Sequence, residues 1–376
     1  MLTPSHNVSI VVDGREVRGW SEYSIATSIV DPVGHFTLSM PWSREAWDSL
    51  RPDRSVRLTI DGTTVLRGLI DERDSTMEED LISINGRDRV GRLVQESSPG
   101  FAYQGVSLLQ LIQEVAGPWF SKVTLSNARN RRVIRGKGRK AAVGDEPLKF
   151  DPQKLGWRHE PGQTRWEIIQ RVLEQTGMLA WSSGDGTELV VGRPNYDQEP
   201  QWIFFRPKPG SARSKEGNAS IGVKDSVADR YSKVIVVSQG HGTLAKYGIQ
   251  ASRLTGQALD NPADPDGVGL DFSEPKRLIF NTPADSREDA GLIADRELKR
   301  RKAHGEVISV RTWGHGQYVG GRAITIFAPD TIARVECERT GRRGAYLVTG
   351  CRYTSNRSSG EQTELDLVPI GTELKS

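Results

Sequence analysis

Apolar and polar residues alternate with a period of two through the first quarter of the chain, which is the pattern of strands that bury one face. The alternation is clearest in residues 8–12, 36–40 and 56–60. Asp13-Gly14 and Asp61-Gly62 follow two of these runs, and such pairs readily adopt the positive φ angles of tight hairpins. Residues 1–98 are therefore predicted to form a first small antiparallel β-barrel domain.

The period changes to that of amphipathic helices over residues 99–193. Ser107 with Gln110, and Thr164 with Glu167, have the spacing of capping boxes and precede apolar stripes. Two short β-type runs with a glycine-rich turn between them follow the second helix. This region is predicted to be an α+β insert with two amphipathic helices and a hairpin.

Residues 194–218 are rich in proline and glycine and are predicted to be a connector in which "QWIFF" forms one strand. Residues 219–376 return to β-type alternation and are predicted to form a second β-barrel domain. Asp285 and Glu288 mark the start of one helix within it, over 285–304. The predicted fold class is thus α+β and mostly β, with two small antiparallel β-barrel domains and an α+β insert between them.

Composition narrows the class of protein. The chain has 376 residues, 36% of them hydrophobic, and a formal net charge of +3. These values indicate a globular chain whose net charge does not favour binding to a polyanion. Two cysteines exclude a disulfide-rich scaffold, and no apolar run approaches the length of a membrane span. The first residues lack the pattern of a signal peptide, so we expect synthesis and assembly in the cytoplasm.

The sequence offers no compact catalytic motif. No two of the six histidines stand at i, i+4, and neither a GxSxG elbow nor a Walker loop is present. Carboxylate pairs such as Glu45 with Asp48 or Asp71 with Glu72 are more simply explained as charges on solvated loops. We therefore predict no enzyme activity, and no catalytic, cofactor-binding or metal-binding residues.

One stretch is strongly basic, since no acid occurs between Glu114 and Asp145. The candidate partner-contact residues in it are Arg131, Arg132, Arg135, Lys137, Arg139 and Lys140. The stretch either contacts an acidic partner surface or phosphate, or it is a solvated loop kept soluble by its charge. Because no aromatic residues are interleaved, a protein partner is favoured over nucleic acid.

Several segments resemble the baseplate hub proteins of Mu-like contractile-tail phages, a family that includes tail protein P and late control protein D. The resemblance is carried in chain order by "DPVGHFTLSMP", "LISINGRDRVGRLVQESS", "PGQTRWEIIQRVLEQTGMLAWSSGDGTELVVGRP", "GGRAITIFAPD" and "GAYLVTGCRYTSNRSSGEQTELDLVP". It spans nearly the whole chain. The basic stretch around Arg131–Lys140 departs from the family pattern.

The resemblance implies a homotrimeric structural hub in the tail baseplate of a virion. Each subunit would supply two related barrels, so that three subunits present six around a channel. One face would then match a sixfold tail tube, and the other a threefold central spike protein. The implied partners are the spike, the tail tube and tape-measure proteins and other baseplate (wedge) proteins, with DNA only passing through the channel.

Two alternative functions stay open at this point. A tail-associated peptidoglycan hydrolase would need two carboxylates facing each other across a cleft. A nucleic-acid-binding barrel protein would use the basic stretch and would bind DNA in a strongly salt-dependent way.

Overall fold

The computed structural model divides the chain into two compact units. Unit 1 comprises Met1–Ser220, Val310–Asp366 and Ser376, and unit 2 comprises Ile221–Ser309 and Leu367–Lys375. The residues that the structure describes are 6–76, 78, 80–100, 108–126, 161–238, 254–260, 272–282, 284, 287–318, 324–371 and 374. Strands account for 48% of the chain and helices for 17%, so the predicted mostly β composition is confirmed.

The N-terminal part of unit 1 is built from seven strands and one short helix. These elements are β1 (Val8–Val12), β2 (Arg15–Val17), β3 (Glu22–Ser28), β4 (His35–Pro41), α1 (Arg44–Ser49), β5 (Ser55–Ile60), β6 (Thr63–Thr76) and β7 (Leu81–Asp88). Asp13 and Gly14 have φ angles of 49° and 81°, and Asp61 and Gly62 of 49° and 79°. Both predicted Asp-Gly hairpin turns are therefore confirmed.

The middle of unit 1 alternates helices and strands. Its elements are α2 (Val90–Gln95), α3 (Leu108–Ala116), β8 (Lys122–Leu125), α4 (Arg165–Thr176), β9 (Leu179–Ser182), β10 (Glu188–Gly192) and β11 (Trp202–Arg206). The capping box predicted at Thr164 is confirmed, because the Thr164 side chain accepts from Glu167 N and the Glu167 side chain accepts from Thr164 N. Ser107 of the other predicted box lies outside the described residues. Gly177 closes α4 in the left-handed conformation. One apolar core of helix and sheet residues joins α2, α3 and α4 with β8, β9 and β10.

The remaining elements complete both units. They are β12 (Ser220–Asp225), β13 (Lys233–Ser238), β14 (Leu254–Leu259), β15 (Arg277–Asn281), α5 (Arg287–Gly305), β16 (Glu306–Trp313), β17 (Gly316–Tyr318), β18 (Ile324–Ile326), β19 (Thr331–Cys337), β20 (Arg342–Asn356) and β21 (Gly360–Pro369). The helix predicted at 285–304 is confirmed over its described residues, while its expected cap Asp285 lies outside them.

A large sheet joins strands from both ends of the sequence. In unit 1 the hydrogen-bonded order runs β20-β3-β4-β7-β6-β5-β1-β2, and β19 also pairs with β20. The first half of β20 pairs with β19 and its second half with β3. β11 lies parallel to β19. Among the described strands no closed barrel is detected, so the two barrel domains, and the segment limits at residues 98, 193 and 218, stay predictions.

Unit 2 packs α5 against one face of a three-stranded sheet. The strand order is β14-β13-β15, with β14 antiparallel and β15 parallel to β13. Val234 and Val236 of β13 are buried together with Ala290, Ala294 and Leu298 of α5. The helix comes so close that a Cβ at Gly256 would lie 2.1 Å from the Ala290 carbonyl carbon. The helix thus buries one face against this sheet.

Two glycines permit the close approach of β6 and β7. The register of these strands shifts between Ile70 and Glu72. A Cβ at Gly68 would lie 1.9 Å from Arg87 O, and one at Gly86 would lie 2.1 Å from Leu69 O. Because the clashing atoms belong to backbone that is hydrogen-bonded in the sheet, they have little freedom to move away.

We therefore expect Gly68→Ala to lower the free energy of unfolding by about 1–3 kcal/mol or more, the usual cost of forcing atoms into a packed interior. Gly184→Ala is the matched control, because nothing lies within 4 Å of its Cβ position; we expect it to change stability by less than about 0.5 kcal/mol. Urea denaturation of the two variants checks this. Equal free energies of unfolding for the two variants would show that the paired strands β6 and β7 can shift to make room for the added methyl group.

Candidate functional site

A cluster of polar side chains, buried except for Asp61, lies in unit 1. His6 Nδ1 is 2.6 Å from Asp61 Oδ2, and the backbone N of His6 donates to the Glu361 carboxylate at 2.9 Å. His315 N donates to His6 Nε2 at 3.0 Å. His6 and His315 are 9% and 0% exposed. We call this group the histidine cluster; it comprises His6, Tyr23, Asp61, His315 and Thr363.

The hydrogen bonds fix the proton positions on both imidazoles. Thr363 Oγ1 donates to Gly314 O at 2.7 Å, so it must accept from His315 Nδ1, which lies 2.9 Å away. His315 Nε2 is then unprotonated and accepts from Tyr23 Oη at 2.7 Å. Since His6 Nε2 accepts from a backbone N–H, its proton is on Nδ1 and is donated to Asp61.

The cluster has the Asp–His pairing of a catalytic dyad but not its chemistry. A general base needs a free ring nitrogen within reach of a nucleophile, and all four ring nitrogens of His6 and His315 are already occupied. Burial lowers the pKa of His315 to about 3 and raises that of Tyr23. The cluster therefore ties together the start of β1, the β5–β6 turn, β3, β21 and the turn before β17.

This cluster makes stability depend on pH. The pKa of His315 is lowered from 6.5 to about 3 in the folded protein, so below about pH 6.5 the unfolded chain takes up a proton that the folded chain excludes. The contribution of His315 to the free energy of unfolding therefore has its full value above that pH and is lost as the pH falls towards 3. The variant His315→Gln retains one donor and one acceptor. We expect it to take up about one proton fewer on unfolding in acid, so that its free energy of unfolding falls less as the pH decreases.

Unfolding free energies from urea titrations between pH 8 and pH 4 provide the measurement. The wild-type curve should fall more steeply than that of His315→Gln on the acid side. Parallel curves for the two proteins would rule out a neutral buried imidazole at this position.

In each of the two carboxylate pairs considered in the sequence, one carboxylate is bound by an arginine. Arg87 Nε and Nη2 donate to Asp71 at 2.7 and 3.1 Å. Arg44 Nε donates to Asp48 at 2.9 Å. Ion-paired carboxylates on the surface are typical of structural charge pairs rather than of a hydrolytic site.

The six predicted contact residues lie outside the described residues, together with all of 127–160. Described residues on either side of that segment are hydrogen-bonded within unit 1. Ser126 N donates to Val191 O at 2.8 Å beside the end of β8, and Arg165 N donates to Glu96 O at 2.9 Å at the start of α4.

Large exposed apolar side chains mark further candidate contact surfaces. Unit 1 carries Trp313 at 61% and Ile203 at 60% exposure, and unit 2 carries Leu259 and Ile279 at 60% and 62%. Isolated exposed residues of this kind are common, but aromatic residues are enriched where proteins bind one another.

Other classes of site find no support within the part of the chain that the structure describes. No group of three or more His, Cys, Asp or Glu side chains is placed to hold a metal ion among these residues. Every helix in the described ranges is too short or too polar to cross a bilayer. Cys337 and Cys351 are both free and buried.

Comparison with known proteins shows which proteins this chain resembles in sequence. Residues 7–88 match the family of Mu phage baseplate assembly protein GpP-like, N-terminal. The chain is 27% identical over 375 residues to baseplate hub protein gp44 of Escherichia phage Mu, covering 97% of this chain and 88% of the relative.

Two solved structures share the fold. The tail protein from Neisseria meningitidis MC58 superposes with a TM-score of 0.74 at 22% identity, covering 98% of each chain. The 43 kDa tail protein of prophage MuSo2 from Shewanella oneidensis gives a TM-score of 0.71 at 19% identity, covering 97% of this chain and 99% of the other.

These matches show that the chain is similar to structural components of phage tail baseplates. The resemblance to Mu-like baseplate hub proteins noted in the sequence is confirmed.

Proposed function

We propose that this protein is a trimeric, non-catalytic hub that joins a sixfold tail tube to a threefold central spike around a channel. Its likeness to a baseplate hub protein extends over 97% of the chain, which supports a role for the whole polypeptide rather than for one module. On this proposal it is assembled in the host cytoplasm and then resides in the tail baseplate.

The observation that carries the proposal is a repeated strand arrangement. In each half of the sheet a short strand, a long strand and a strand of intermediate length follow one another as an antiparallel meander. β5, β6 and β7 have 6, 14 and 8 residues. β19, β20 and β21 have 7, 15 and 10 residues.

The long strand of each meander also pairs with different strands along its two halves. The first half of β6 pairs with β5 and the first half of β20 pairs with β19. In both, the second half extends beyond that partner to pair with other strands, β7 for β6 and β3 for β20. A glycine with positive φ precedes each long strand, Gly62 in one case and Gly341 in the other.

Two similar modules per chain give a threefold assembly six similar positions. A closed ring forms only when each subunit offers complementary patches at the correct rotation. A trimer of such chains would match the symmetry of a sixfold tube at one face and of a threefold spike at the other. The tape-measure protein, the wedge proteins and the DNA that passes through the channel are the further partners on this proposal.

The chemistry of unit 1 supports a role without catalysis. The histidine cluster uses its ring nitrogens for internal hydrogen bonds. Asp48 and Asp71 are engaged by arginines. Asp48 and Glu45 line an open cavity of about 510 Å³, but the Asp48 carboxylate there is paired with Arg44.

We expect the purified protein to be a trimer of about 125 kDa, three times the chain mass of 41.6 kDa. Light scattering coupled to size exclusion measures the mass, and class averages from electron microscopy should give a threefold ring with six lobes. A monomer at micromolar concentration, or a ring without paired lobes, would contradict the proposal. Release of muropeptides from purified cell wall would favour the hydrolase instead.

The basic segment is proposed to contact a protein partner. Replacing its six basic residues by serine (Arg131, Arg132, Arg135, Lys137, Arg139 and Lys140) should leave the trimer intact and weaken co-purification with the central spike protein. The matched control replaces six exposed basic residues elsewhere by serine: Arg44, Arg57, Arg206, Arg334, Arg339 and Arg352. Salt-dependent DNA binding by the wild type, lost only in the first variant, would favour the nucleic-acid function instead.

A further inference from the structure

Strand β11 has one paired edge and one edge that no strand among the described residues pairs with. Its partner β19 runs parallel to it, in the register Trp202↔Ala333 to Arg206↔Cys337. Arg206 O accepts from Glu338 N at 2.9 Å, so the backbone groups of the even-numbered residues face β19. Those of Ile203 and Phe205 therefore point to the other edge.

The side chain of Gln317 pairs with Ile203 as a strand residue would. Ile203 N donates to Gln317 Oε1 at 3.1 Å, and Gln317 Nε2 donates to Ile203 O at 3.1 Å. One amide group thus supplies the same acceptor and donor that a residue of an adjacent strand supplies in a ladder pair.

Asn218 completes the edge. Phe205 N donates to Asn218 Oδ1 at 2.8 Å, Asn218 N donates to Phe205 O at 3.2 Å, and Asn218 Nδ2 donates to Ile203 O at 2.8 Å. Asn218 is itself held in place, because Thr312 Oγ1 donates to Asn218 O at 3.1 Å. All four outward-facing backbone groups of Ile203 and Phe205 therefore have a partner.

The strand that these amides cover is a strong template for strand addition. Its sequence is WIFFR, aromatic and β-branched with a single charge at the end, and Ile203 is 60% exposed. Such edges recruit strands from other chains unless they are blocked. The other end of the unit 1 sheet is protected differently, since β2 has only three residues and carries Arg15 and Glu16.

A side chain of β11 is also covered by a charged residue. The guanidinium carbon of Arg213 lies 3.9 Å from the centre of the Phe205 ring, which places a charge over the apolar strand. Arg213 is held by Glu216, at 2.7 Å. Charge next to an exposed edge is a common means of preventing edge-to-edge association.

We propose that the amides of Asn218 and Gln317 act as a strand mimic that closes the β11 edge against strand addition by a second copy of this chain. Free subunits then associate through other surfaces and stay competent for ordered assembly. This inference does not depend on the hub function, because it concerns only the edge of β11.

The test is the double variant Asn218→Ala/Gln317→Ala, examined as the full chain by sedimentation velocity over a range of concentrations. We expect species larger than the wild-type assembly, with a mass that rises with concentration. Hydrogen exchange should become faster at the amides of Ile203 and Phe205, which lose their acceptors. Adding Ile203→Lys should restore the wild-type mass, because a charge at the centre of the edge blocks pairing.

Asn85→Ala/Gln362→Ala is the matched control. These amides donate to Glu72 Oε2 at 2.9 Å and to Ser359 O at 3.2 Å, away from β11, so the wild-type mass should be kept. A folded double variant with fast exchange at Ile203 and Phe205 and an unchanged mass would overturn the proposal. If the double variant does not fold, Gln317→Ala alone carries the test, with the mass and the exchange rate of the Ile203 amide as its two readouts.

Discussion

The pairing of β3 with β20 is the constraint on which unit 1 depends. It makes neighbours of residues from opposite ends of the sequence, with Ile25 opposite Tyr353, and both side chains are almost fully buried. Without this ladder the strands from β1 to β7 would end at an open edge, as would β20 beyond its pairing with β19. The hydrophobic face on each side is buried only when both are present, so the two halves stabilise one another.

The histidine cluster gives this junction its specificity. Apolar packing alone tolerates sliding and repacking, whereas a buried polar group must find its particular partner. His6 from the N-terminal segment meets His315 and Glu361 from the C-terminal segment. A displacement of either segment would leave donors and acceptors without partners, at a cost of about 1–3 kcal/mol for each buried group. The cluster thus favours one register of the two segments.

Local features of the fold were readable from the sequence, and long-range ones were not. The Asp13-Gly14 turn, the capping box at Thr164 and the strand at "QWIFF" depend on neighbouring residues and were predicted from them. Alternation shows that a strand has a buried face but not which strand lies beside it, so the β3–β20 ladder was missed. The histidine cluster was missed for the same reason. The sequence of the basic stretch identifies its charge, while its partner depends on another molecule.

The β3–β20 ladder also constrains how the chain is made. β3 leaves the ribosome early, but its partner β20 emerges roughly 15 to 65 seconds later at about 5–20 residues per second. Throughout that interval the N-terminal strands present an unfilled position at β3. Sheets with such distant pairings fold slowly, because the loop must close before the contacts form. Lowering the temperature of expression, or supplying chaperones in excess, should therefore increase the yield of native protein relative to aggregate.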